Sequence, residues 1–121
     1  MLTIGTVVVG VSDVSRAMAF WMAALDYVPR YEADDGTYAI LMPANGRPGA
    51  HLALDRSETP VQEHPRVHLD LYTRDQEAEV ERLLALGAER VDWDLYPENA
   101  DFVVVADTEG NRFCVCETPS V

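Results

Sequence analysis

Residues 6–13 read T-V-V-V-G-V-S-D and residues 68–75 read H-L-D-L-Y-T-R-D, so one pattern returns 62 positions later: an alternating strand ending in a helix-capping residue. Two further pairs keep almost the same offset. Ala24-Leu25 and Ala85-Leu86 close the helical stretches that follow, 61 positions apart, and H-L-A-L-D at 51–55 matches R-F-C-V-C at 112–116, again 61 apart. Each half therefore reads as a strand, a helix and three strands.

In the first half, the Asp13 carboxylate can accept an early backbone N–H, and Ala17, Phe20, Trp21, Ala24 and Leu25 recur at helical spacing as one buried stripe. Strands are predicted over Tyr27–Ala33, Thr37–Met42 and His51–Arg56, broken by Asp34-Asp35-Gly36 and by the loop Asn45–Gly49. In the second half, Thr73 and Gln76 have the spacing of a capping box. Val80, Leu83, Leu84 and Leu86 supply the stripe, and Gly87 stops the helix. Strands are predicted near Glu89–Leu95, Phe102–Ala106 and Arg112–Glu117. The reading is one domain over residues 1–121, with module one at about 1–57, a linker at about 58–65 containing Pro60 and Pro65, and module two at about 66–121.

Composition sets outer limits. The 121 residues are 48% hydrophobic and 25% charged, ordinary for a packed globular chain, and no apolar run approaches the length of about 18 residues that spans a bilayer. The N-terminus lacks a basic segment followed by an apolar run and a cleavage site, so the expected location is the cytoplasm. Asp and Glu number 21 against nine basic residues, all arginine, for a formal charge of −12. Nucleic acid and anionic membrane, which are gripped by neutralising phosphate, are not expected partners. Cys114 and Cys116 are neighbours on one strand face, near the upper limit of reach for a bridge and poorly aimed for one, and read as free thiols.

Period two then sorts the strand residues by face. Leu52 and Leu54, Val67, Leu69 and Leu71, and Phe113 and Val115 are suited to meet the helices. The opposite sets are His51, Ala53 and Asp55; Arg66, His68, Asp70 and Tyr72; and Arg112, Cys114 and Cys116. Ionisable residues on a face without a helix suggest a cavity, the plain alternative being a solvated sheet face. Trp21 belongs to the core by its helical spacing, whereas Tyr31, Tyr38, Trp93 and Tyr96 lie on strands or loops able to border a cavity for a flat organic ligand.

A duplicated strand-helix-three-strand unit of this length resembles the vicinal oxygen chelate superfamily, which includes glyoxalase I, extradiol dioxygenases, and bleomycin- and fosfomycin-resistance proteins. The resemblance runs from Thr3 to Glu117. It is carried by V-V-V-G-V-S-D-V-S-R-A-M-A-F-W, R-V-H-L-D-L, E-V-E-R-L-L-A-L-G-A and F-V-V-V-A-D-T-E-G-N-R-F-C-V-C-E, the last two looking like a glyoxalase-like subgroup. It implies an α+β fold of two tandem βαβββ modules forming a glyoxalase/bleomycin-resistance-like curved mixed sheet around a cavity, and often a homodimer that completes the cavity.

In metal-using members the ligands come from the first and last strand of each module. The matching positions here are Thr6 and Ala53, then His68 and Cys114, and only His68 fits. Glu117 does not replace the missing carboxylate, because counting from Gly110 lands on Cys114 and alternation sends Glu117 to the other face. No cofactor is expected, and no divalent metal. A rebuilt metal site would have to draw on His51, His68 and Asp70, or on His68 with Cys114 and Cys116.

The expected ligand cavity is thus Thr6, His51, Ala53, Asp55, His68, Asp70, Tyr72 and Cys114. The best catalytic candidate is His68, although His68 and Asp70 diverge too far to assume a dyad. Cys114 makes a poor nucleophile with only Arg112 as a nearby cation, His64 reads as solvated linker, and Asp107–Asn111 reads as a turn. The leading expectation is a metal-free protein that binds a small organic molecule, cationic or aromatic, in a dimer cavity. The alternative is a lyase, isomerase or dioxygenase-like enzyme using His68 as acid and base or in a rebuilt metal site.

Overall fold

The computed structural model describes residues 1–32 and 35–119. Ala33 and Asp34, at the end of the expected strand Tyr27–Ala33 and the start of the break after it, lie outside the described residues, as do Ser120 and Val121. The elements run β1 (Thr6–Val11), α1 (Val14–Leu25), β2 (Tyr27–Pro29), β3 (Tyr38–Pro43), β4 (His51–Arg56), β5 (Asp70–Thr73), α2 (Gln76–Ala85), β6 (Glu89–Arg90), β7 (Phe102–Ala106) and β8 (Arg112–Glu117), with a 3-10 turn at Ala44–Gly46. They form an α+β fold of two four-stranded mixed sheets, ordered β1-β4-β3-β2 and β5-β8-β7-β6. In each sheet the first strand lies parallel to the last and the other pairings are antiparallel, so the sequence repeat is a repeat of topology. The chain divides into two compact units, Met1–Pro60 and Val61–Val121.

The repeat is built locally by the same chemistry twice. Asp13 caps α1 by accepting the Arg16 N–H at 3.0 Å, and Asp75, 62 positions on, caps α2 by accepting the Ala78 N–H at 3.2 Å. The expected Thr73–Gln76 capping box does not form. Thr73 Oγ1 instead accepts the Asp75 N–H, and the Gln76 amide donates to the carbonyls of Asp101 and Val115, tying the first turn of α2 to the sheet. Asp26 (φ 54°) ends α1 in the left-handed conformation. Gly87 has φ +113° just after α2, and a Cβ there would lie 3.1 Å from the Thr108 methyl, which fixes glycine at that stop.

In the first unit Ala17, Phe20 and Trp21 of α1 are buried, with Leu41, Leu52 and Leu54 of the sheet also in the core and the Phe20 and Trp21 rings edge to face at 5.0 Å. In the second unit Val80 and Leu83 of α2 are buried, as are Val105, Phe113 and Val115 of the sheet. Neither helix is long and apolar enough, among the described residues, to cross a membrane.

Three strand expectations shorten. The segment predicted over Tyr27–Ala33 pairs only over Tyr27–Pro29, with one further bond from the Arg30 N–H to the Ile40 carbonyl. The segment predicted over Glu89–Leu95 pairs only at Glu89 and Arg90, because the Tyr96 hydroxyl takes the Val104 N–H at 2.8 Å, the edge donor that continued pairing would use. The strand expected from His68 starts at Asp70. With Asp70 opposite Cys114, Val67 falls beyond the start of β8, and it is 81% exposed instead of meeting a helix.

Candidate functional site

The parallel register of β5 on β8 sets Asp70 opposite Cys114 and Tyr72 opposite Cys116, and the antiparallel register of β7 adds Val104 and Phe102 to the same face. Alternation puts Val105, Phe113 and Val115 on the other face, with α2. The face without the helix floors a cavity of about 500 Å³ lined entirely by second-unit residues. Its floor is Val104, Cys114 and Cys116, all buried, against which Val91, Trp93 and Phe102 pack. A concave, largely apolar space of that size suits a small organic molecule.

One wall comes from a segment that the sequence reading left in solvent. His64 Nε2 lies 3.0 Å from an Asp94 carboxylate oxygen, and its ring sits 4.9 Å from Trp93 at 45°. That hydrogen bond holds the Asp94 carboxyl below its usual range. Arg112 donates to the Glu63 carbonyl, so residues 63 and 64 are fastened both to β8 and to the stretch carrying Trp93. The missed signal is tertiary: nothing within the linker marks Asp94 as its partner.

Asp70 is the polar centre. Its Oδ1 lies 3.0 Å from His68 Nε2, and its charge acts on both thiols. The expectation that His68 and Asp70 diverge is therefore corrected. Same-face residues two apart on a strand are separated by about 6.5 Å at Cα, but His68 precedes β5 and its long side chain spans the gap. Imidazole and carboxylate are each about half exposed at the cavity. Glu117, expected on the opposite face, borders the cavity from the end of β8, and Asp101 adds a third carboxylate.

Burial, reinforced by Asp70, pushes the Cys114 thiol up to about 12, and burial with Asp70 and Asp101 pushes Cys116 up to about 11. Both thiols are free and buried, and at neutral pH they carry protons. The folded thiols keep protons that unfolded thiols, titrating near 9, release. Above that pH the unfolded chain binds fewer protons, and stability falls until the folded thiols ionise. Iodoacetamide at pH 8 is expected to label the urea-unfolded chain fully and the native chain scarcely. Wild type should also lose melting temperature between pH 9 and 11 more steeply than the Cys114→Ser/Cys116→Ser double variant. Prompt native labelling would mean that the thiols are open to solvent.

Of the expected site residues, His68, Asp70, Tyr72 and Cys114 converge at this cavity. Thr6, His51, Ala53 and Asp55 belong to the first sheet. There Thr6 is paired with His51, Ala53 is fully buried, and Asp55 lies opposite Tyr38. The Arg30 guanidinium approaches His51 Nδ1 at 3.1 Å and lies 4.9 Å above the Tyr31 ring. Trp93 borders the cavity as expected of a strand or loop aromatic. Tyr96 instead packs on Phe102 at 5.3 Å and bonds Val104, while Tyr31 is exposed in the first unit.

Of the four positions that match ligands in metal-using proteins, Thr6 offers only a hydroxyl, a weak ligand, and Ala53 a methyl, which is none. What the structure gathers is a different set, His68, Asp70 and Cys114, with one donor atom from each lying within 4.8 Å of the others. It joins parts of the two rebuilt sites expected from the sequence and leaves out His51 and Cys116.

A family model described as a glyoxalase-like domain matches residues 6–116. Among solved structures, the fold is similar to a genomically encoded fosfomycin resistance protein from Listeria monocytogenes (16% identity, TM-score 0.75, covering 98% of this chain and 93% of that one). It is also similar to a glyoxalase/bleomycin resistance protein/dioxygenase family enzyme from Burkholderia phytofirmans PsJN (12% identity, TM-score 0.72, 98% and 100%). A third similar structure is TioX from Micromonospora sp. ML1 (15% identity, TM-score 0.62, 96% and 98%). No curated protein sequence matches. At these identities the structures bear on fold alone.

Proposed function

The chain belongs to the glyoxalase-like domain family, and from that premise we propose that it binds a small, flat organic molecule, neutral or cationic, in the cavity of its second unit and holds it without turnover. The observation that carries this reading is the composition of the cavity. Trp93, Phe102 and Tyr72 offer aromatic surface beside the carboxylates of Asp70, Asp101 and Glu117, against Arg112 as the one permanent cation among the lining residues. Aromatic faces favour flat and cationic guests, and a group of carboxylates with one opposing cation favours positive charge. Tyr72 and Leu95 are 62% and 61% exposed and line the cavity, a rim that a second copy of the chain would cover in a homodimer. Two protonated, unbridged cysteines suit a reducing compartment such as the cytoplasm.

The test is a binding screen read by thermal shift and by Trp93 fluorescence, with planar aromatic amines and quaternary ammonium compounds set against matched aromatic carboxylates. The cations should raise the melting temperature and be recovered unchanged. Trp93→Ala should weaken binding by about tenfold or more, as loss of a buried aromatic anchor does. Selective binding of the carboxylates would overturn the reading.

A second reading, acid–base catalysis by His68 on a bound molecule, is favoured by the 3.0 Å His68–Asp70 contact, in which the carboxylate would orient the imidazole. The two readings separate at one residue. His68→Ala should lower the turnover of such an enzyme by about 100-fold or more, whereas a binding protein should lose affinity only and release its ligand unchanged.

A further inference from the structure

We propose that His68, Asp70 and Cys114 bind one thiophilic divalent cation of the zinc class, in a site made by the second unit alone. The inference is argued without the ligand reading above, although both draw on Asp70, and it reverses the expectation of no metal, which rested on the positions matching the family's ligands. Asp70 is not one of those positions, and the sheet register is what adds it.

The argument is geometric. Asp70 and Cys114 face each other across the β5/β8 ladder, which fixes carboxylate and thiol on one face, and His68 reaches the same carboxylate at 3.0 Å. One donor atom from each of the three lies within 4.8 Å of the others. A tetrahedral ion with bonds of about 2.0 Å to nitrogen and oxygen and about 2.3 Å to sulfur holds its donors about 3.2–3.8 Å apart. The cluster therefore needs closure of about an ångström. Cys114 is buried and supplies the fixed corner, while His68 and Asp70, half exposed, have room to turn. Binding exchanges the Cys114 S–H proton, which passes to solvent, for a metal–sulfur bond. The fourth position faces the cavity and is left for water or a ligand atom.

The donor set selects the ion. One imidazole, one carboxylate and one thiolate suit zinc or cobalt, whereas magnesium and calcium demand oxygen ligands in greater number. Cys116, the next same-face residue on β8, lies opposite Tyr72 and is not required by the three donors.

Cobalt(II) is the probe. The full chain, stripped with a chelator, is titrated with Co²⁺ and followed by absorption. The expected result is one equivalent bound, with thiolate-to-cobalt charge transfer in the near ultraviolet, the intense visible bands of a tetrahedral ion, displacement by Zn²⁺ and none by Mg²⁺. Cys114→Ser should abolish the charge-transfer band. Asp70→Asn and His68→Ala should each weaken binding by about tenfold or more. His68→Ala alters a partly exposed side chain, so it remains informative if the buried Cys114 variant does not fold. Absence of binding at micromolar Co²⁺, or a thiolate band that survives in folded Cys114→Ser, overturns the proposal. The titration contains no organic ligand, so its failure leaves the cavity reading standing, and failure of the ligand screen leaves the metal site standing.

Discussion

Asp107→Ala is expected to lower stability by about 2–4 kcal/mol, because it strips one buried and one partly buried N–H group of their acceptor at once. Asp107 is only 3% exposed, and its Oδ1 accepts the N–H groups of Glu109 and Asn111, both at 2.9 Å. Its backbone closes the same turn, donating to the Asn111 carbonyl and accepting from Gly110, which sits at φ +86°. The turn delivers the chain into β8, the strand that carries Cys114 and Cys116. An alanine leaves the turn geometry to the backbone alone and exposes both donors to competition from water. Against a typical total of about 5–15 kcal/mol the loss is large, and it should appear as a melting temperature lower by about 10 °C. Asp107→Asn keeps one acceptor oxygen and should lose less. A melting temperature within two or three degrees of wild type would show that solvent already satisfies those N–H groups.

Leu54→Ala is expected to cost about 2–5 kcal/mol, the range for emptying a close-packed leucine site. Leu54 is fully buried on β4, the strand between β1 and β3, where no neighbour can withdraw without breaking a ladder. The comparison is Leu95→Ala, which removes the same atoms from a side chain 61% exposed and should stay within about 0.5 kcal/mol of wild type. Urea denaturation separates the two. Equal midpoints would mean that the first unit relaxes around the missing side chain.

The duplication was legible because it is written in local chemistry. Asp13 and Asp75 cap their helices in the same way, and the strands His51–Arg56 and Arg112–Glu117 have the same bounds in sequence and structure. Expectations failed where a side chain took a backbone group. Tyr96 captures the Val104 N–H and cuts the Glu89–Leu95 strand short, and Gln76 turns to the Asp101 and Val115 carbonyls in place of a capping box. Propensity and periodicity carry no information about such partners, which lie 8 to 39 residues away.

The candidate site divides along the same line. Alternation alone put His68, Asp70, Tyr72 and Cys114 on one face, since period two is a property of any extended strand. Whether two of those side chains meet depends on register across a ladder and on where a strand begins. The pairing of Asp70 with Cys114 and the start of β5 after His68 turned a row of polar residues into a cluster around one carboxylate. The wall residues His64 and Trp93, with Asp94 bonded to His64, join segments about 30 residues apart, a contact that only the folded chain makes. The repeat, the caps and the faces were readable along the chain because each follows from residues a few positions apart, and the acidic balance because it is a sum over composition. The tertiary structure decided the His68–Asp70 contact, the burial that keeps the thiols protonated and the cavity itself, because each depends on distances between atoms that covalent connectivity leaves free.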